Sequence, residues 1–418
     1  MIPMPKKILV VTVGGSCEPI VNAVGSPPAY DFVYFVCSSG KHDNASERQV
    51  DGKGRPCGKA EGAPSIVQQT GLEESRYEKV LFDVTTEIDD LPRLYHGLKR
   101  LASAIEERFP AAQVTANYSG GTKSMSAALV LAAIDAGWNL QLNKGMRGDV
   151  VKIKAGDVPV LVATDGLNAE RNSALFQEAF SHYNYSMAKM VADSTLQQLR
   201  LTPKEQTRWL EWGQVAHGLN LWDSFFYKEA REILAPVARY VARYLPFLGA
   251  IASGKRGAGY CIVLDLILNA ERCAHRERFD DGVSRLYRAL ELLAQARLRE
   301  EFGLETGRLD INDPRIPEGF KKEWAQPDEK GLFKVPLMRA YELLLELGDP
   351  FGREFDSRRD LLQGMLTIRN GSFLAHGFEP VDGEDFARMH HAVKDFVEEC
   401  MKLADFTLDI PSQLPRSL

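Results

Sequence analysis

The sequence changes character near residue 165, and this change limits the folds that the chain can adopt. Before it, short runs of β-branched and other apolar residues alternate with helical patterns; after about residue 170, amphipathic helical patterns follow one another without strands. Alternating strands and helices predict an α/β domain, whereas consecutive amphipathic helices predict an all-α region. The 418 residues are enough for about two to three domains. We therefore expect an α/β domain followed by helical domains.

The predicted strands are apolar along nearly their whole length. Such runs are typical of strands buried on both faces of a parallel sheet. They cover residues 7–13, 31–37, 77–85, 112–118 and 140–145, with helices predicted over 91–109 and 122–137. A further segment, 150–166, predicts a hairpin at the edge of the sheet or leading out of the domain. Together these elements predict a doubly wound α/β domain.

Composition excludes several classes of protein. The net charge of −6 disfavours a tight, sequence-indifferent nucleic-acid binder, which needs a strongly basic face, but it leaves room for a small local site. No segment approaches the roughly 18 apolar residues of a membrane span. The six cysteines include no C-x-x-C pair, so we expect neither a zinc site nor a disulfide framework. The predicted location is a reducing cytoplasm, with no membrane partner.

Two segments are predicted to be long loops. Residues 41–64 are polar, Gly-rich and aperiodic, and they follow the second predicted strand; residues 306–332 separate two predicted helices near the C-terminus. Loops of this length are usually functional or mobile.

Small and hydroxyl residues follow three of the predicted strands, and they form the first candidate site. Ligands of an open parallel sheet bind beyond the carboxyl ends of its strands, where glycines and free helix N–H groups accommodate phosphate. The candidate residues are Gly14, Gly15, Ser38, Ser39, Asn117, Ser119, Gly120, Gly121, Thr122 and Lys123. A P-loop is excluded, because Thr122 and Asn117 stand where that motif needs glycine. A single turn of this kind is often structural, but three on one edge favour a phosphate-bearing ligand.

A second candidate site lies in the helical region, in the segment RNGSFLAHG. Arg369 and His376 are seven residues apart, so they share a face of an uninterrupted helix or, if Gly371 breaks it, meet across the helix end. A histidine can exchange a proton with a ribose 2′-hydroxyl or a leaving oxygen, and an arginine can stabilise a pentacoordinate phosphate. This pair favours RNA cleavage without a metal.

Other chemically suggestive residues have simpler interpretations. The adjacent His390 and His391 point about 100° apart on a helix and are expected on a solvated face. His275-x-Glu277 lacks the P-C-x-x-C of a deaminase. Ion pairs and packing explain the helix that carries Arg285, Tyr287, Arg288 and Glu291, and the tryptophans Trp209, Trp212 and Trp222 are expected in a core.

The two motifs together suggest a family. The Gly-Gly first turn, NYSGGTKSM and the later RNGSFLAHG resemble the CARF–HEPN ribonucleases, accessory effectors of type III CRISPR defence, over essentially the whole chain. The resemblance implies a Rossmann-like CARF domain at 1–168, a helical connector at 169–258 and a HEPN ribonuclease domain at 259–418.

The resemblance also implies an activity. A cyclic oligoadenylate, with four or six adenylates, would bind across a two-fold axis of a homodimer at the ten residues named above. Arg369, Asn370 and His376 would then cleave single-stranded RNA to a 2′,3′-cyclic phosphate, with no metal or other cofactor and with Arg358 and Arg359 helping to hold the RNA. Slow cleavage of the activator by the CARF domain is compatible with Lys123 and its neighbouring hydroxyls.

Two alternatives remain. One is a nucleotide-sensing regulator whose helical half binds a protein or DNA and catalyses nothing. The other is a phosphotransferase that uses the NYSGGTKS turn with Mg²⁺ and a nucleoside triphosphate. Ring size and RNA sequence preference are not predictable from the sequence.

Overall fold

The computed structural model describes residues 5–40, 45–53, 56–57, 62–144, 147–148, 151–152, 157–373, 377–407 and 413–418. The chain divides into two compact units, Met1–Asn168 and Ala169–Leu418. The first is an α/β unit, and the second is almost entirely helical.

The α/β unit is built on a six-stranded sheet in the order β3-β2-β1-β4-β5-β8. Its strands are β1 (Lys7–Thr12), β2 (Phe32–Ser39), β3 (Tyr77–Asp83), β4 (Gln113–Asn117), β5 (Asn139–Lys144) and β8 (Val158–Val162), with a separate short pair, β6 (Arg147–Gly148) and β7 (Val151–Lys152). The first five strands are parallel, as predicted. The predicted hairpin over 150–166 is wrong: β8 pairs antiparallel with β5, and β7 pairs with β6.

Helices cover both faces of the sheet, which explains why the central strands are apolar throughout. Alternate residues of β1 enter two different cores: Ile8 and Val10 pack on one face, and Leu9 and Val11 on the other. The helices are α1 (Glu18–Gly25), α2 (Glu47–Asp51), α3 (Ile66–Thr70), α4 (Leu91–Arg108) and α5 (Lys123–Asp135). Helix α2 lies within the segment that the sequence predicts as a long loop.

The strand order reverses direction at β1, whose neighbours are β2 and β4. From β1 the chain first builds outward through β2 and β3, and then returns to add β4 and β5 on the other side. Strands β1 and β4 end nearly level, since Val11 pairs with Asn117, whereas β2 continues to Ser39, three residues beyond Val36, the partner of Thr12; all three strands are parallel and end on the same side of the sheet. The turns after β1, β2 and β4 therefore meet at one edge, at the switch point where open α/β sheets bind ligands.

The second unit contains a long series of helices. They are α6 (Asp165–Ser181), α7 (Tyr185–Gln198), α8 (Pro203–Asp223), α9 (Tyr227–Leu234), α10 (Ala238–Val241), α11 (Leu245–Ala252), α12 (Ala258–His275), α13 (Phe279–Phe302), α14 (Glu318–Trp324), α15 (Leu337–Glu346), α16 (Pro350–Ser357), α17 (Arg359–Gly371) and α18 (Gly383–Leu403). The predicted loop 306–332 instead holds α14 and a small antiparallel pair, β9 (Leu309–Asp310) and β10 (Leu332–Phe333). No helix in the described part of the chain meets the length and hydropathy of a membrane span.

Two hydrophobic cores fill the helical unit. One lies mainly among α6–α11 and includes the fully buried Trp209 and Trp222, which confirms their expected core role. The other lies among α12–α18.

A buried arginine joins the helices that carry these two cores. Arg272 on α12 is fully buried; its Nε donates to Asp223 Oδ1 on α8 at 2.6 Å, and its Nη2 lies 3.4 Å from Asp265 Oδ1. Nη1 donates to Gln413 Oε1 at 2.6 Å. Burial raises the pKa of Asp265, against the opposing effects of Arg272 and the Tyr227 hydroxyl. The arginine thus compensates charge that the fold takes out of water.

One cysteine pair departs from the expected all-reduced chain. Cys17 and Cys57 form a disulfide with their Cα atoms 5.6 Å apart, whereas Cys37, Cys261, Cys273 and Cys400 are free and buried.

The Arg272→Met variant tests the role of this buried charge. Removing the guanidinium leaves the buried Asp265 without its counter-charge and leaves Asp223 paired with Arg276 alone, so we expect the free energy of unfolding to fall by about 3–5 kcal/mol. The control is Arg288→Met, which breaks the exposed pair with Glu291 and should cost no more than about 1 kcal/mol. Urea unfolding measures both; equal losses in the two variants would contradict this role.

Candidate functional site

The turns after β1 and β4 touch through their backbones, and this contact depends on glycine. A Cβ at Gly120 would lie 2.3 Å from the carbonyl oxygen of Thr12, and one at Gly14 would lie 2.5 Å from the amide nitrogen of Gly121. The Thr12 hydroxyl donates to the Gly120 carbonyl at 2.7 Å, and Gly121 has a φ of +80°. By contrast, a Cβ at the exposed Gly15 would meet no atom within 4 Å. Gly14, Gly120 and Gly121 therefore hold the two turns together, while Gly15 leaves open space above the sheet.

A buried amide network shapes the turn after β4. Asn117 is fully buried; its Nδ2 donates to Gln141 Oε1 at 2.9 Å and to Asn143 Oδ1 at 2.8 Å. Its Oδ1 accepts from the Ser119 amide, and the Ser119 hydroxyl accepts from the Asn143 amide at 2.7 Å. Asn117 and Ser119, both predicted site residues, thus hold the turn in place through these hydrogen bonds. Sequence reasoning missed Gln141 and Asn143, although the polar residues that interrupt this apolar strand (LQLNK) were a visible indication.

Helix α5 begins at this turn and directs its free amides toward the same edge. The Thr122 hydroxyl caps the helix by accepting from the Met125 amide at 3.2 Å. The first amides of a helix have no intrahelical acceptor and favour an anion. Lys123, at the first helical position, is exposed, and the described part of the chain offers it no ion pair.

The end of β2 and the turn that follows it are hydrogen-bonded to the start of α2, so only part of this turn is exposed to solvent. The Ser38 amide donates to Ser46 Oγ at 2.9 Å, and the Ser38 hydroxyl accepts from the Ser46 amide at 2.9 Å. The Gly40 amide donates to Glu47 Oε1 at 3.3 Å. Ser38 is therefore buried, and Ser39 is half-exposed. The three predicted turns share one sheet edge, but only part of each faces solvent.

The C-terminal candidate site begins where α17 ends. The Arg369 guanidinium carbon lies 4.5 Å from the centre of the Tyr287 ring on α13, and Nη1 lies 3.3 Å from Asn370 Oδ1. Arg369 Nε is buried and has no hydrogen-bond partner among the described residues. Stacking on an aromatic ring holds a guanidinium while leaving its N–H edge available to an anion. His376 lies outside the described residues.

The chain turns back sharply after α17. The helix ends at Gly371, so an uninterrupted helix from Arg369 onward is excluded. The Gly377 amide donates to the Ser372 carbonyl at 3.1 Å, and the Glu379 amide donates to the Gly371 carbonyl at 3.2 Å. A Cβ at Gly377 would lie 1.8 Å from the Gly371 carbonyl oxygen, so only glycine fits there. The residues on either side of 374–376 therefore return to the end of α17.

Other suggestive residues take part in structural contacts. Arg288 pairs with Glu291 at 2.7 Å, as expected, and Arg359 pairs with Glu342 and Asp356. His391 is exposed, but the solvated face predicted for His390 is wrong: its Nε2 lies 3.0 Å from Glu271 Oε1 and its ring stacks on Phe386. In the described part of the chain, no group of three His, Cys, Asp or Glu residues is placed to hold a metal ion.

Two cavities lie near these elements. One, of about 530 Å³, lies at the amino ends of β4 and β5, near Lys99, Gln113 and Trp138, and holds none of the predicted site residues. The other, of about 220 Å³, lies between α17 and the start of α18, with Thr367, Gly371, Glu379 and Asp385 in its wall. Neither of these two cavities includes a residue of the switch-point edge.

The fold defines a protein with a Rossmann-like sheet followed by an almost entirely helical unit. Residues 253–401 match the family model described as the Csm6 HEPN domain. The chain also matches the structure of Enterococcus italicus Csm6 bound to cyclic hexa-2'-fluoro-hexa-dAMP, with a TM-score of 0.54 and 11% identity, over 97% of this chain and 96% of that one. The C-terminal unit thus contains a Csm6-type HEPN domain, and the whole chain has the Csm6 fold, as its resemblance to the CARF–HEPN ribonucleases predicted.

Other solved structures are less similar. Protein VC1899 from Vibrio cholerae matches with a TM-score of 0.26 and 10% identity, over 48% of this chain and 54% of that one. Can2 from Sulfobacillus thermosulfidooxidans, in complex with cyclic tetra-adenylate, matches with a TM-score of 0.23 and 16% identity, over 55% and 68%. These scores are too low to bear on the fold. Among curated proteins, no relative matches the sequence.

Substituting two glycines of the switch-point edge separates their roles. Gly120→Ala places a methyl group against the Thr12 carbonyl, so we expect a loss of about 2 kcal/mol or more in unfolding free energy. Gly15→Ala places the same methyl group in open space, so we expect its free energy of unfolding to lie within about 1 kcal/mol of that of the unsubstituted protein. Thermal denaturation followed by circular dichroism measures both, and a Gly15→Ala variant as unstable as Gly120→Ala would contradict the assignment.

Proposed function

We propose that this protein is an endoribonuclease of type III CRISPR defence that cyclic oligoadenylate activates. The match of residues 253–401 to the Csm6 HEPN domain carries the proposal, because that segment contains Arg369, Asn370 and His376. In this assignment residues 1–168 sense the activator, 169–258 connect, and 259–418 cleave RNA.

The switch-point edge supports binding of a ring of phosphates. It offers the exposed Gly15, the free amides at the start of α5 and the charge of the exposed Lys123. These groups recognise a phosphate by hydrogen bonds and charge without reading a base. A cyclic oligoadenylate repeats the phosphate, so two copies of this edge in a homodimer would bind one ring symmetrically. The Csm6 structure from Enterococcus italicus contains a related cyclic hexanucleotide.

The chemistry proposed for the helical unit is transesterification within the RNA. The ribose 2′-oxygen attacks the adjacent phosphorus, the bond to the 5′-oxygen breaks, and the products are a 2′,3′-cyclic phosphate and a free 5′-hydroxyl. His376 would accept the 2′-hydroxyl proton or protonate the leaving oxygen. Arg369, held by Tyr287, would stabilise the additional negative charge of the pentacoordinate phosphorus, and Asn370 would orient the phosphate. The step as written uses only these side chains.

RNA cleavage by purified protein tests the catalytic assignment. We expect cleavage of single-stranded RNA in EDTA when cyclic tetra- or hexa-adenylate is added, and a decrease of about 10²-fold or more in Arg369→Ala and His376→Ala. His391→Ala, which removes an exposed histidine from the same unit, should cleave at the normal rate. Undiminished cleavage by His376→Ala would overturn the site, and binding of activator without any cleavage would favour a non-catalytic regulator.

Lys123→Ala tests the activator site separately. Losing one charged contact to phosphate should weaken binding of the cyclic oligoadenylate by about tenfold and reduce its salt dependence. Lys6→Ala is the matched control, since Lys6 is an exposed lysine that precedes β1 at the opposite edge of the same sheet. Isothermal titration calorimetry measures both affinities. Equal affinities in the two variants would contradict the proposed site.

A further inference from the structure

The disulfide lies beside the switch-point edge. Cys17 directly follows Gly14, Gly15 and Ser16 and precedes α1. Cys57 follows α2 in the chain. Two of these neighbours, Gly15 and Ser16, are exposed parts of the turn after β1. The bond therefore attaches the first turn of the site to a segment 40 residues further along the chain.

Helix α2, which precedes Cys57 in the chain, also holds the second turn, the one after β2. Ser46 exchanges two hydrogen bonds with Ser38, and Glu47 accepts from the Gly40 amide. Gln49, one helical turn further along α2, approaches both sulfurs: its Oε1 lies 3.3 Å from Cys17 Sγ, and its carbonyl oxygen lies 3.5 Å from Cys57 Sγ. The disulfide and α2 thus form a continuous connection between the turns after β1 and β2.

The remaining connection needs no disulfide. The turns after β1 and β4 pack through Gly14, Gly120 and Gly121, as described above. The second turn is held to α2 by hydrogen bonds in either redox state. With the disulfide formed, the first turn is also attached covalently to Cys57 beyond α2; without it, the first turn and this part of the chain are joined by noncovalent contacts alone.

Taken together, these contacts point to a new regulatory site: we propose that Cys17 and Cys57 are a reversible redox pair whose oxidation fixes the activator-binding turns and strengthens activator binding. The proposal rests on the proposed function of the sensor. A site whose parts are held in the bound arrangement loses less conformational entropy on binding, so the oxidised form should bind more tightly.

The chemistry balances with a peroxide as oxidant. Two thiols and one hydrogen peroxide give one disulfide and two waters: each sulfur loses a hydrogen atom, the sulfur–sulfur bond forms, and the oxygen–oxygen bond breaks. A dithiol reductant reverses the change by thiol–disulfide exchange. Cys57 is half-buried, whereas Cys17 and the other four cysteines are buried, and burial raises the pKa of those four thiols. Cys57 is therefore the sulfur most accessible to peroxide.

The experiment compares peroxide-treated and dithiothreitol-treated protein, with Cys57→Ser as the matched variant. Intact-mass measurement after alkylation should show one reversible disulfide in the unsubstituted protein and none in Cys57→Ser. Cyclic tetra- and hexa-adenylate are the probes, and the one that binds should bind about threefold or more tightly to the oxidised protein. Cys57→Ser should bind like the reduced protein under both treatments, and Cys17→Ser should behave in the same way.

Each other result has a distinct meaning. A missing disulfide, or equal affinity of the oxidised and reduced proteins, overturns the redox proposal while leaving the sensor assignment intact. Binding of neither ring in either state overturns the sensor assignment and with it this regulatory role. In that case a melting temperature that oxidation raises in the unsubstituted protein but not in Cys57→Ser would identify the cross-link as structural only.

Discussion

The close approach of two glycine-containing turns at the switch point is the contact on which the α/β unit depends. Gly120 lies against the Thr12 carbonyl, and the Thr12 hydroxyl donates to the Gly120 carbonyl. Because β1 and β4 are parallel neighbours, their turns must share a narrow space at the same edge, and any side chain there would force them apart. The same approach places Gly14 against Gly121, two residues before Lys123 at the start of α5. One packing constraint thus produces both the geometry of the sheet and the edge at which we propose that phosphate binds.

The C-terminal site depends on a different local constraint. The chain reverses within a few residues of Gly371, and Gly377 allows the returning segment to contact the end of α17. Tyr287 belongs to α13, which packs against α17, α15 and α18, so the ring beneath Arg369 is set by the core of the helical unit. Among the described residues, Arg369 contacts the Tyr287 ring and the Asn370 amide but no carboxylate, which leaves its charge available to a phosphate.

Much of the fold followed from the sequence, and the exceptions have physical reasons. Continuous apolar runs predicted the parallel strands because both sheet faces are covered. The pairing of β8 with β5 could not be predicted, because a strand of five residues pairs equally well with a strand that precedes it or one that follows it in the chain. The motifs predicted that the three turns share one edge of the sheet, but not that Asn117 and Ser38 are buried. Their partners, Gln141 and Ser46, are distant in sequence or lie in the predicted loop. The Cys17–Cys57 pairing was equally inaccessible, because spacing alone does not show which cysteines meet.

In the proposed function, occupancy of the sheet edge controls RNA cleavage by the helical unit. Titrating one protein sample with cyclic oligoadenylate, while measuring both binding and the single-turnover rate of RNA cleavage, tests this control most directly. We expect the rate to rise in proportion to the bound fraction, with the same midpoint for both curves. A cleavage rate that stays constant while the activator site fills would contradict it.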